Sequence, residues 1–337
     1  MKRMPERIHL AKLPTGIEKL NRFSEKTGGP ALYVKRDDQT GLEVSGNKIR
    51  KLEYSIKEAI SSGADTLITC GGIQSNHCRA TAAAAAKLGL RSCLVLAGKN
   101  TDIPDGNHLL NLLLGAEIKF VTTDEYASSR MQIMQDINYK LLFQGRKGYI
   151  IPEGASNGIG SFGYFNAMEE ILRQEKELNL KFDAIVVAAG SGGTYAGLFH
   201  ANKINNNAAR IVGLNVRNDD HEFFAKVIAD ILHQSFSYTN RKIDFTRDEI
   251  EIINGYVGDG YAMNRPEELE FIQELARIEG IILDPVYTGK AMLGLVSEIR
   301  KGTFKDCKNI LFVHTGGLFG LFPKKNQFDF RQADISQ

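Results

Sequence analysis

Short apolar segments alternate with helical segments along most of this chain, and this alternation limits the possible folds more than any other feature of the sequence. Thr66–Thr69 is typical of a short buried strand, and an alanine-rich helical segment follows it at residues 76–88. Ala184–Ala188 is the clearest apolar run, again with a helical segment behind it, and Asn309–His314 is the last such strand. This order predicts an α/β fold with mostly parallel sheets flanked by helices.

The length of the chain favours two domains. With 337 residues it exceeds what a single small core needs. The glycine-rich run Gly154–Gly163 is the best candidate for a hinge between two α/β units. We therefore predict a large domain made of residues 1–50 and 164–337, with a smaller α/β domain, residues 51–163, inserted into it.

Composition excludes several classes of protein. The net charge of +2 comes without a basic block, which argues against nucleic acid as a partner. No apolar run approaches the roughly 20 residues that span a bilayer, so no membrane partner is expected. The four cysteines form no C-x-x-C pair and have no histidine cluster beside them, so we expect no metal site. We expect a cytoplasmic protein, with the pairs Arg50-Lys51 and Lys324-Lys325 on its surface.

Lys48 is the first candidate for chemistry. It lies in Ser45–Glu53, at the start of a segment with helical spacing. Backbone N–H groups at a helix start carry positive partial charge, which disfavours the ammonium form and leaves an amine suited to Schiff-base chemistry. The alternative is a solvated lysine beside Arg50 and Lys51, and this stretch alone favours that alternative. The apolar face of the helix is Ile49, Leu52, Ile56 and Ile60.

Two glycine turns that lead into helices are candidates for binding anions. The first is Cys70–His77, where free backbone N–H groups with Ser75 and Asn76 would face a carboxylate. Simple N-capping by either side chain explains this turn equally well. The second follows the strand Ala184–Ala188 and has the density of glycine and hydroxyl typical of a phosphate cradle. Its residues are Gly190, Ser191, Gly192, Gly193 and Thr194.

The second turn matches neither common nucleotide motif. Tyr195 occupies the third glycine position of a G-x-G-x-x-G pattern, and no glycine–lysine–serine/threonine follows as in Walker A. The alternative is a purely structural turn between a strand and a helix. Phosphate binding without a nucleotide motif favours a phosphorylated cofactor.

Two tyrosines and one threonine complete the set of candidates. Tyr287 stands behind Pro285 just before a helical segment, and Tyr261 follows a glycine. Each tyrosine taken alone is more often a core residue, as is His314, which precedes Thr315. A lysine at a helix start, an anion turn, a phosphate cradle and a terminal threonine are together the parts that hold pyridoxal phosphate.

With these residues in place, the chain resembles the D-cysteine desulfhydrase and 1-aminocyclopropane-1-carboxylate deaminase family of pyridoxal-phosphate enzymes. That family has the tryptophan-synthase β-like fold, fold type II. The resemblance extends from Pro14–Glu18 to Thr315–Gly317. Tyr261–Asn264 departs from the family's usual tyrosine-glycine-valine-proline-asparagine. The most specific matching motifs are Lys35–Asp38, Gly46–Glu53, Gln74–His77 and Asp284–Tyr287.

The resemblance implies a role for each candidate. Lys48 would be the Schiff-base lysine and would carry the Cα proton, although a tyrosine could move that proton instead. Asn76 would bond the cofactor's 3-hydroxyl, and the substrate carboxylate would lie on Ser75 and on the amides of Asn76 and His77. Gly190–Thr194 would hold the phosphate. The catalytic residues would be Lys48, Ser75, Tyr261 and Tyr287.

Two positions separate the branches of this family. Deaminases have a glutamate after the second tyrosine and a leucine between the histidine and the paired glycines, where this chain has Thr288 and Thr315. Both threonines resemble the desulfhydrase pattern and would lie near the pyridine nitrogen. A glutamate there makes the ring a strong electron sink, whereas a hydroxyl makes a weaker one that is adequate when a thiolate is ready to leave.

We therefore expect a lyase that converts D-cysteine to hydrogen sulfide, pyruvate and ammonia by α,β-elimination, acting as a homodimer on a small amino acid. The choice of D-cysteine rests on the resemblance, because the spacing of residues in a sequence does not reveal which enantiomer of a substrate the site accepts. The alternatives are a deaminase of 1-aminocyclopropane-1-carboxylate, a cysteate sulfo-lyase, and a non-catalytic protein of the same fold that binds the cofactor or an amino acid.

Overall fold

The structure of the protein is a computed structural model that describes residues 4–330. Within those residues the chain forms ten β-strands and ten α-helices. The strands are β1 (Ile17–Lys19), β2 (Ala31–Lys35), β3 (Thr66–Gly72), β4 (Arg91–Ala97), β5 (Glu117–Val121), β6 (Gly148–Ile150), β7 (Ala184–Ala189), β8 (Arg210–Asn215), β9 (Glu251–Ile253) and β10 (Asn309–Val313). The helices are α1 (Asn21–Thr27), α2 (Asn47–Ser61), α3 (Asn76–Lys87), α4 (Gly106–Leu113), α5 (Thr123–Phe143), α6 (Gly158–Glu177), α7 (Gly193–Ile204), α8 (His221–Ser235), α9 (Pro266–Glu279) and α10 (Thr288–Lys301). Single 3₁₀ turns include Asp37–Gln39, Glu153–Ala155 and Leu318–Gly320.

The larger sheet has six strands in the order β1-β2-β10-β7-β8-β9. Its pairs are parallel except that β1 runs antiparallel to β2 at the edge. The last strand along the chain, β10, pairs with β2 on one side and β7 on the other. Strands covered on both faces are apolar throughout, and β7 meets this condition because helices pack on both sides of the sheet.

The smaller sheet has four parallel strands in the order β5-β4-β3-β6. Its helices cover both faces, with α3 on one side and α5 on the other, and α2 packs beside α3. The two sheets together confirm the predicted α/β class, with mostly parallel strands flanked by helices. Within residues 4–330, no helix combines the length and apolar character that crossing a membrane requires.

Short elements near the sheet edges differ from the sequence-based expectation. The strands β1 and β9 have three residues each, and neither was predicted. Three residues are too few to show the alternation that identifies a strand, so backbone pairing with β2 and β8 decides their conformation. Residues 331–337 lie outside the described residues.

Most of the run Gly154–Gly163, the candidate hinge, lies in a helix. From Gly158 onward it is the first turns of α6, and its glycines serve close packing. A Cβ on Gly163 would lie 2.5 Å from the backbone of Arg50, so glycine lets α6 approach α2. The predicted domain boundaries, after residues 50 and 163, fall inside α2 and α6, and the division into two domains stays a prediction.

The prediction that Arg50 and Lys51 lie on the surface is wrong, because both side chains are fully buried. The Arg50 guanidinium donates hydrogen bonds to both Asp37 oxygens, at 2.8 and 2.9 Å, and to both Glu170 oxygens, at 3.0 Å. Lys35 donates to Glu170 and the Tyr164 hydroxyl donates to Asp37, each at 2.5 Å. Burial alone would raise the pKa of Asp37, but the Arg50 guanidinium holds that pKa below its usual value. We call these five residues the Arg50 cluster.

The Arg50 cluster should dominate the stability of α2. Arg50→Met leaves two buried carboxylates with too little positive charge, which should lower the free energy of unfolding by about 3–5 kcal/mol. Urea denaturation followed by circular dichroism measures this difference. Arg173→Met, an exposed change on α6, is the matched control and should stay within about 0.5 kcal/mol of the parent. A loss for Arg50→Met no larger than the control would show that the cluster contributes no net stability.

Candidate active site

One cavity lies where the two sheets face each other, beside the carboxyl ends of β3, β7 and β10 and the N-termini of α2, α3 and α7. It encloses about 810 Å³ including its open mouth, a size suited to a small ligand. Most predicted site residues line it. They are Lys48, Ser75, Asn76, His77, Gly190, Ser191, Gly192, Thr194, Tyr261, Tyr287 and Thr315.

Lys48 is the second residue of α2, and the backbone around it fixes its position. Gly46, just before the helix, has a left-handed φ of 100°, and a Cβ there would lie 2.7 Å from the Thr315 carbonyl oxygen. The Asn47 amide donates to that same carbonyl at 3.0 Å. Burial lowers the pKa of Lys48 to about 8, against an opposing effect of the Glu153 carboxylate. The structure therefore supports an amine that is easily deprotonated, with burial as the main cause where the sequence had suggested the helix dipole.

Lys51, one turn further along α2, is a second buried amine that sequence reasoning dismissed. Its Nζ donates to the Ser156 hydroxyl at 3.1 Å, and Ser156 lies 2.7 Å from the Ser191 hydroxyl. Burial and the neighbouring Lys48 hold the pKa of Lys51 well below its usual value. A buried amine thus stands directly behind the glycine-rich turn, linked to it through Ser156. Only the fold reveals this, because the helical spacing alone puts no carboxylate or hydroxyl beside Lys51.

The glycine-rich turn forms the N-terminus of α7. Gly192 has a left-handed φ of 80°, and no side chain caps the helix, so its first N–H groups are free to bind an anion. The side-chain NH₂ group of Asn47 donates to the Thr194 hydroxyl oxygen at 3.0 Å, which leaves the hydroxyl hydrogen available. Gly193 does not line the cavity; a Cβ on it would lie 2.7 Å from the Ser156 hydroxyl. The turn has the donors of a phosphate cradle.

The sequence left two functions open for Ser75, helix capping and anion binding, and the structure shows the first. Its hydroxyl oxygen caps α3 by accepting from the Cys78 amide at 3.2 Å, and its side chain also lines the cavity. The side-chain oxygen of Asn76 accepts a hydrogen bond from the side-chain NH₂ group of Asn107 at 2.9 Å. That bond leaves the Asn76 NH₂ group as a donor for a ligand oxygen. Capping and ligand binding are therefore compatible here.

His77 is buried against the cavity and has one unpartnered ring nitrogen. Its Nε2 lies 2.8 Å from the Thr69 hydroxyl, which donates its own hydrogen to the Ile151 carbonyl at 2.7 Å. Nε2 must therefore carry the proton that Thr69 accepts, and Nδ1 is left buried without a partner among residues 4–330. Burial, with Lys48 and Lys51 nearby, holds the pKa of His77 well below its usual value. The ring is neutral.

The two tyrosines meet at the cavity although 26 residues separate them. Their hydroxyls share a hydrogen bond, and their ring centroids lie 5.9 Å apart in an edge-to-face arrangement. Burial raises the pKa of Tyr287 well above its usual value. Both phenols are therefore protonated at neutral pH, and the pair is able to pass a proton along one hydrogen bond.

Thr288 does not lie where the sequence predicted. It is fully buried, does not line the cavity, and donates its hydroxyl hydrogen to Asp284 at 2.7 Å. The Asp284 carboxylate also accepts from the amides of Tyr287 and Thr288 and so caps α10. Thr288 is part of this cap, so Thr315 is the remaining candidate for contact with a pyridine nitrogen. His314 is a core residue as expected, with Nε2 3.1 Å from the Ile282 carbonyl.

Glu153 and Arg217 also line the cavity, and sequence reasoning missed both. Arg217 donates to Asp219 at 2.8 Å and lies 4.0 Å from Glu153. Glu153 also lies 3.9 Å from Arg130 of α5. Glu153 follows β6 of the smaller sheet and Arg217 follows β8 of the larger one, so this contact joins the two sheets at the cavity. Isolated charges in loops gave no signal in the sequence.

The cavity fits pyridoxal phosphate on its own geometry. The cofactor needs an amine, an anion site for its phosphate and donors around its ring. Lys48, the start of α7 and the Asn76 NH₂ group supply these. Gly154 leaves the space open, because a Cβ there would lie 2.5 Å from the Ser191 hydroxyl and 3.3 Å from Lys48 Nζ.

Comparison with known proteins agrees with this geometry. Residues 8–316 match the family described as "Pyridoxal-phosphate dependent enzyme". The chain is 45% identical to a putative 1-aminocyclopropane-1-carboxylate deaminase of Thermotoga maritima, over 95% of this chain and 99% of that protein. It is 43% identical to the bifunctional D-cysteine desulfhydrase/1-aminocyclopropane-1-carboxylate deaminase of Arabidopsis thaliana, over 97% of this chain and 83% of that protein. It is 40% identical to a D-cysteine desulfhydrase of Serratia proteamaculans, over 94% and 95%.

Solved structures show the same relationship. A crystal structure described as an ACC deaminase homologue superposes with a TM-score of 0.88 at 40% identity, covering 96% of this chain and 95% of that one. A crystal structure of O-ureido-L-serine synthase shares the fold, with a TM-score of 0.68 at 17% identity over 96% and 94%. From the family match, the extent of these identities and the cavity around Lys48, the chain belongs to the pyridoxal-phosphate dependent enzymes, in the group that contains 1-aminocyclopropane-1-carboxylate deaminases and D-cysteine desulfhydrases.

Proposed function

We propose that this enzyme removes sulfide from D-cysteine by α,β-elimination and yields hydrogen sulfide, pyruvate and ammonia. The observation that carries the proposal is Thr315, at the end of β10. Its backbone carbonyl accepts from the Asn47 amide at 3.0 Å, next to Lys48, so its position relative to the lysine is fixed. Thr315 lines the cavity, at a position where deaminases of the resembling family have leucine.

Threonines stand at both positions that separate the branches of the family, Thr288 where the deaminases have glutamate and Thr315 where they have leucine. Neither position therefore offers a carboxylate that would keep a bound pyridine ring protonated. Pyridoxal phosphate supplies an electron sink for the pair left when a Cα proton is removed. A ring nitrogen opposite Thr315 makes that sink weaker than one opposite a carboxylate. Expulsion of a thiolate from Cβ needs only a weak sink, whereas opening a cyclopropane without a leaving group needs a strong one. This reasoning favours elimination.

We assign the proton transfers to Lys48 and the tyrosine pair. Lys48 would hold the cofactor, and its amine, when not bonded to the cofactor, would take the proton from Cα, which its lowered pKa of about 8 favours. The electrons of the Cα–H bond form a Cα=Cβ double bond, and the Cβ–S bond breaks so that its electrons leave with sulfur. Tyr287, hydrogen-bonded to Tyr261, donates a proton to the departing sulfide. The released aminoacrylate adds water to give pyruvate and ammonia.

The N-terminus of α3 is the proposed site for the substrate carboxylate. The Ser75 hydroxyl accepts from Cys78, so its hydrogen is free to donate to a carboxylate. The amides of Asn76 and His77 begin the helix, where positive partial charge favours an anion. The neutral His77 ring adds no competing charge. These groups would orient Cα toward Lys48.

A second candidate is deamination of 1-aminocyclopropane-1-carboxylate. The Thermotoga and Arabidopsis relatives support it, because their names include that activity. The same cavity and the same lysine would serve both reactions, so only product analysis separates them. We also propose a cytoplasmic homodimer; the four unpaired cysteines support a reducing compartment, and light scattering of the purified protein tests the dimer.

Lys48→Ala should abolish both activity and the visible absorbance of the lysine-bound cofactor, while the chain still folds. The residue lies in the first turn of α2 and is not one of the helix residues that form the apolar core. Absorbance spectra and circular dichroism measure the two properties. Lys57→Ala on the same helix is the matched control and should keep the absorbance. Absorbance that survives in Lys48→Ala and is reducible with borohydride would show that a different lysine holds the cofactor.

Ser191→Ala combined with Thr194→Ala should weaken cofactor affinity more than turnover at saturating cofactor. Each hydroxyl bond to a phosphate is charge-assisted and worth about 1.5–3 kcal/mol, so the dissociation constant should rise at least about tenfold. Titration of the apoenzyme with the cofactor measures it. Thr123→Ala with Ser128→Ala, both exposed on α5, is the control pair. An unchanged dissociation constant would reduce the α7 turn to a structural role.

A substrate panel tests the reaction itself. We expect sulfide and pyruvate from D-cysteine, slower or no release from L-cysteine, and little 2-oxobutanoate from 1-aminocyclopropane-1-carboxylate. A barrier difference of about 4 kcal/mol would make D-cysteine roughly a thousandfold faster than the cyclopropane substrate. Sulfide and 2-oxoacid assays measure both rates. Comparable turnover of the cyclopropane substrate, or preferential release of sulfite from cysteate, would overturn the assignment, and a protein that binds the cofactor with no turnover would support the binding-protein alternative.

A further inference from the structure

Lys290 is a buried cation that the mechanism above does not use. It lies in the first turn of α10, three residues after Tyr287, and its side chain is fully buried. Its Nζ donates to the backbone carbonyls of Val257, Gly260 and Met263 at 2.5, 2.9 and 2.6 Å. An ammonium has three donors, so this one is satisfied entirely by backbone oxygens of a single segment.

That segment is residues 254–265, which connect β9 to α9 without a helix or strand of their own. We call it the Tyr261 loop. Backbone in such a segment lacks the ladder of hydrogen bonds that holds a strand or helix, so its shape depends on contacts from outside. Lys290 supplies three of those contacts on both sides of Tyr261. The first turn of α10 begins directly after Tyr287. Through Lys290, the same turn also holds the loop that carries Tyr261.

Other contacts on the Tyr261 loop show that it needs fastening. Ala262, the next residue, has a φ of 59°, in the left-handed region that an alanine side chain disfavours. The resembling family has glycine there. Lys324 donates to the Ala262 carbonyl, and Asn264 donates to the Pro285 carbonyl at 2.6 Å. Hydrogen bonds from α10, the C-terminal segment and the loop's own end therefore hold a backbone conformation that the loop does not favour by itself.

The charge of Lys290 is as important as its donors. Three carbonyl oxygens converge on one point, and the Glu268 carboxylate lies 3.7 Å away. Oxygens brought together in this way repel one another unless a cation lies between them. A neutral side chain of the same length would leave the oxygens unpaired and buried. The ammonium therefore stabilises this shape of the loop specifically.

We propose that Lys290 is a positioning residue, which holds the Tyr261 loop so that the Tyr261 hydroxyl meets that of Tyr287 in the cavity. Lys290 touches neither the cavity nor Tyr287's hydroxyl, so it acts through Tyr261. The catalytic consequence rests on the proposed function of the tyrosine pair. The structural consequence, an ordered loop, is independent of that function.

Lys290→Met tests the proposal, because methionine keeps the length of the side chain and removes its charge and donors. We expect kcat to fall on the order of 100-fold, as for a displacement of about 1 Å at a reacting group, with an unchanged dissociation constant for the cofactor. Amides of residues 257–263 should lose protection from hydrogen exchange while those of α7 keep theirs. Lys305→Met, an exposed change, is the control and should alter none of these. Unchanged protection in the loop would overturn the proposal.

A double variant separates positioning from a general loss of stability. If Lys290 acts through Tyr261, then Tyr261→Phe combined with Lys290→Met should be no slower than Tyr261→Phe alone. If the loss of activity in the double variant equals the product of the two single losses, Lys290 does not act through Tyr261. If Tyr261→Phe keeps full activity, the role of Tyr261 in the proposed function fails, and the exchange measurement still decides whether Lys290 orders the loop. Where Lys290→Met does not fold, Lys290→Gln retains two donors without the charge and takes its place.

Small cations give a third measurement. Lys290→Ala leaves a space lined by the same carbonyl oxygens, so ammonium or potassium ions should restore part of kcat and part of the loop's exchange protection. Lys290→Met fills that space and should not respond, which controls for general salt effects. If neither ion restores kcat or exchange protection in Lys290→Ala, or if both variants respond equally, a positive charge at this point does not hold the loop.

Discussion

The hydrogen bonds between Arg50 and the carboxylates of Asp37 and Glu170 hold the catalytic helix in place. Asp37 follows β2, Glu170 belongs to α6, and Arg50 lies two residues after Lys48, so one guanidinium joins three elements of the fold. Gly163 allows α6 to approach the backbone of Arg50 itself. Because these groups are buried, their mutual distances are held tightly, and the direction of the Lys48 side chain is held with them. The lysine needs this support, since the cavity that it lines is built from several separate segments of the chain.

The chemistry of the cavity depends on burial more than on any single neighbour. Burial favours the neutral amine of Lys48, the neutral ring of His77 and the protonated phenol of Tyr287. His77 and Tyr287 are therefore uncharged at neutral pH, and the pKa of about 8 lets Lys48 lose its proton far more easily than an exposed lysine. The cluster around Arg50 has two cations and two carboxylates and so contributes little net charge to its surroundings. The site therefore combines charged supports with reacting groups whose uncharged forms are favoured by burial.

Much of this arrangement follows from the sequence, and the reasons are local. Strand and helix alternation predicts the sheets, and parallel strands bring their carboxyl ends together, so glycine turns after β3 and β7 were recognisable as ligand sites. Pairing between distant residues leaves no such pattern. Arg50 and Lys51 look like surface charges until Asp37 and Ser156 are brought beside them. Thr288 looked free to meet a ligand because nothing in its spacing shows that Asp284 turns back to accept its hydroxyl hydrogen. Lys290 was unremarkable for the same reason.

The position of β10 affects how the protein is made. This strand, which comes from residues 309–313, lies between β2 and β7, so the larger sheet has two separate parts until those residues have left the ribosome. During synthesis β2 and β7 each present an unpaired edge, and such edges attract other strands. Contacts between residues so far apart in sequence also form slowly. Newly made chains of this enzyme therefore pass through a stage in which the smaller sheet is complete and the cofactor site is not, and molecular chaperones that cover exposed strand edges would act at that stage.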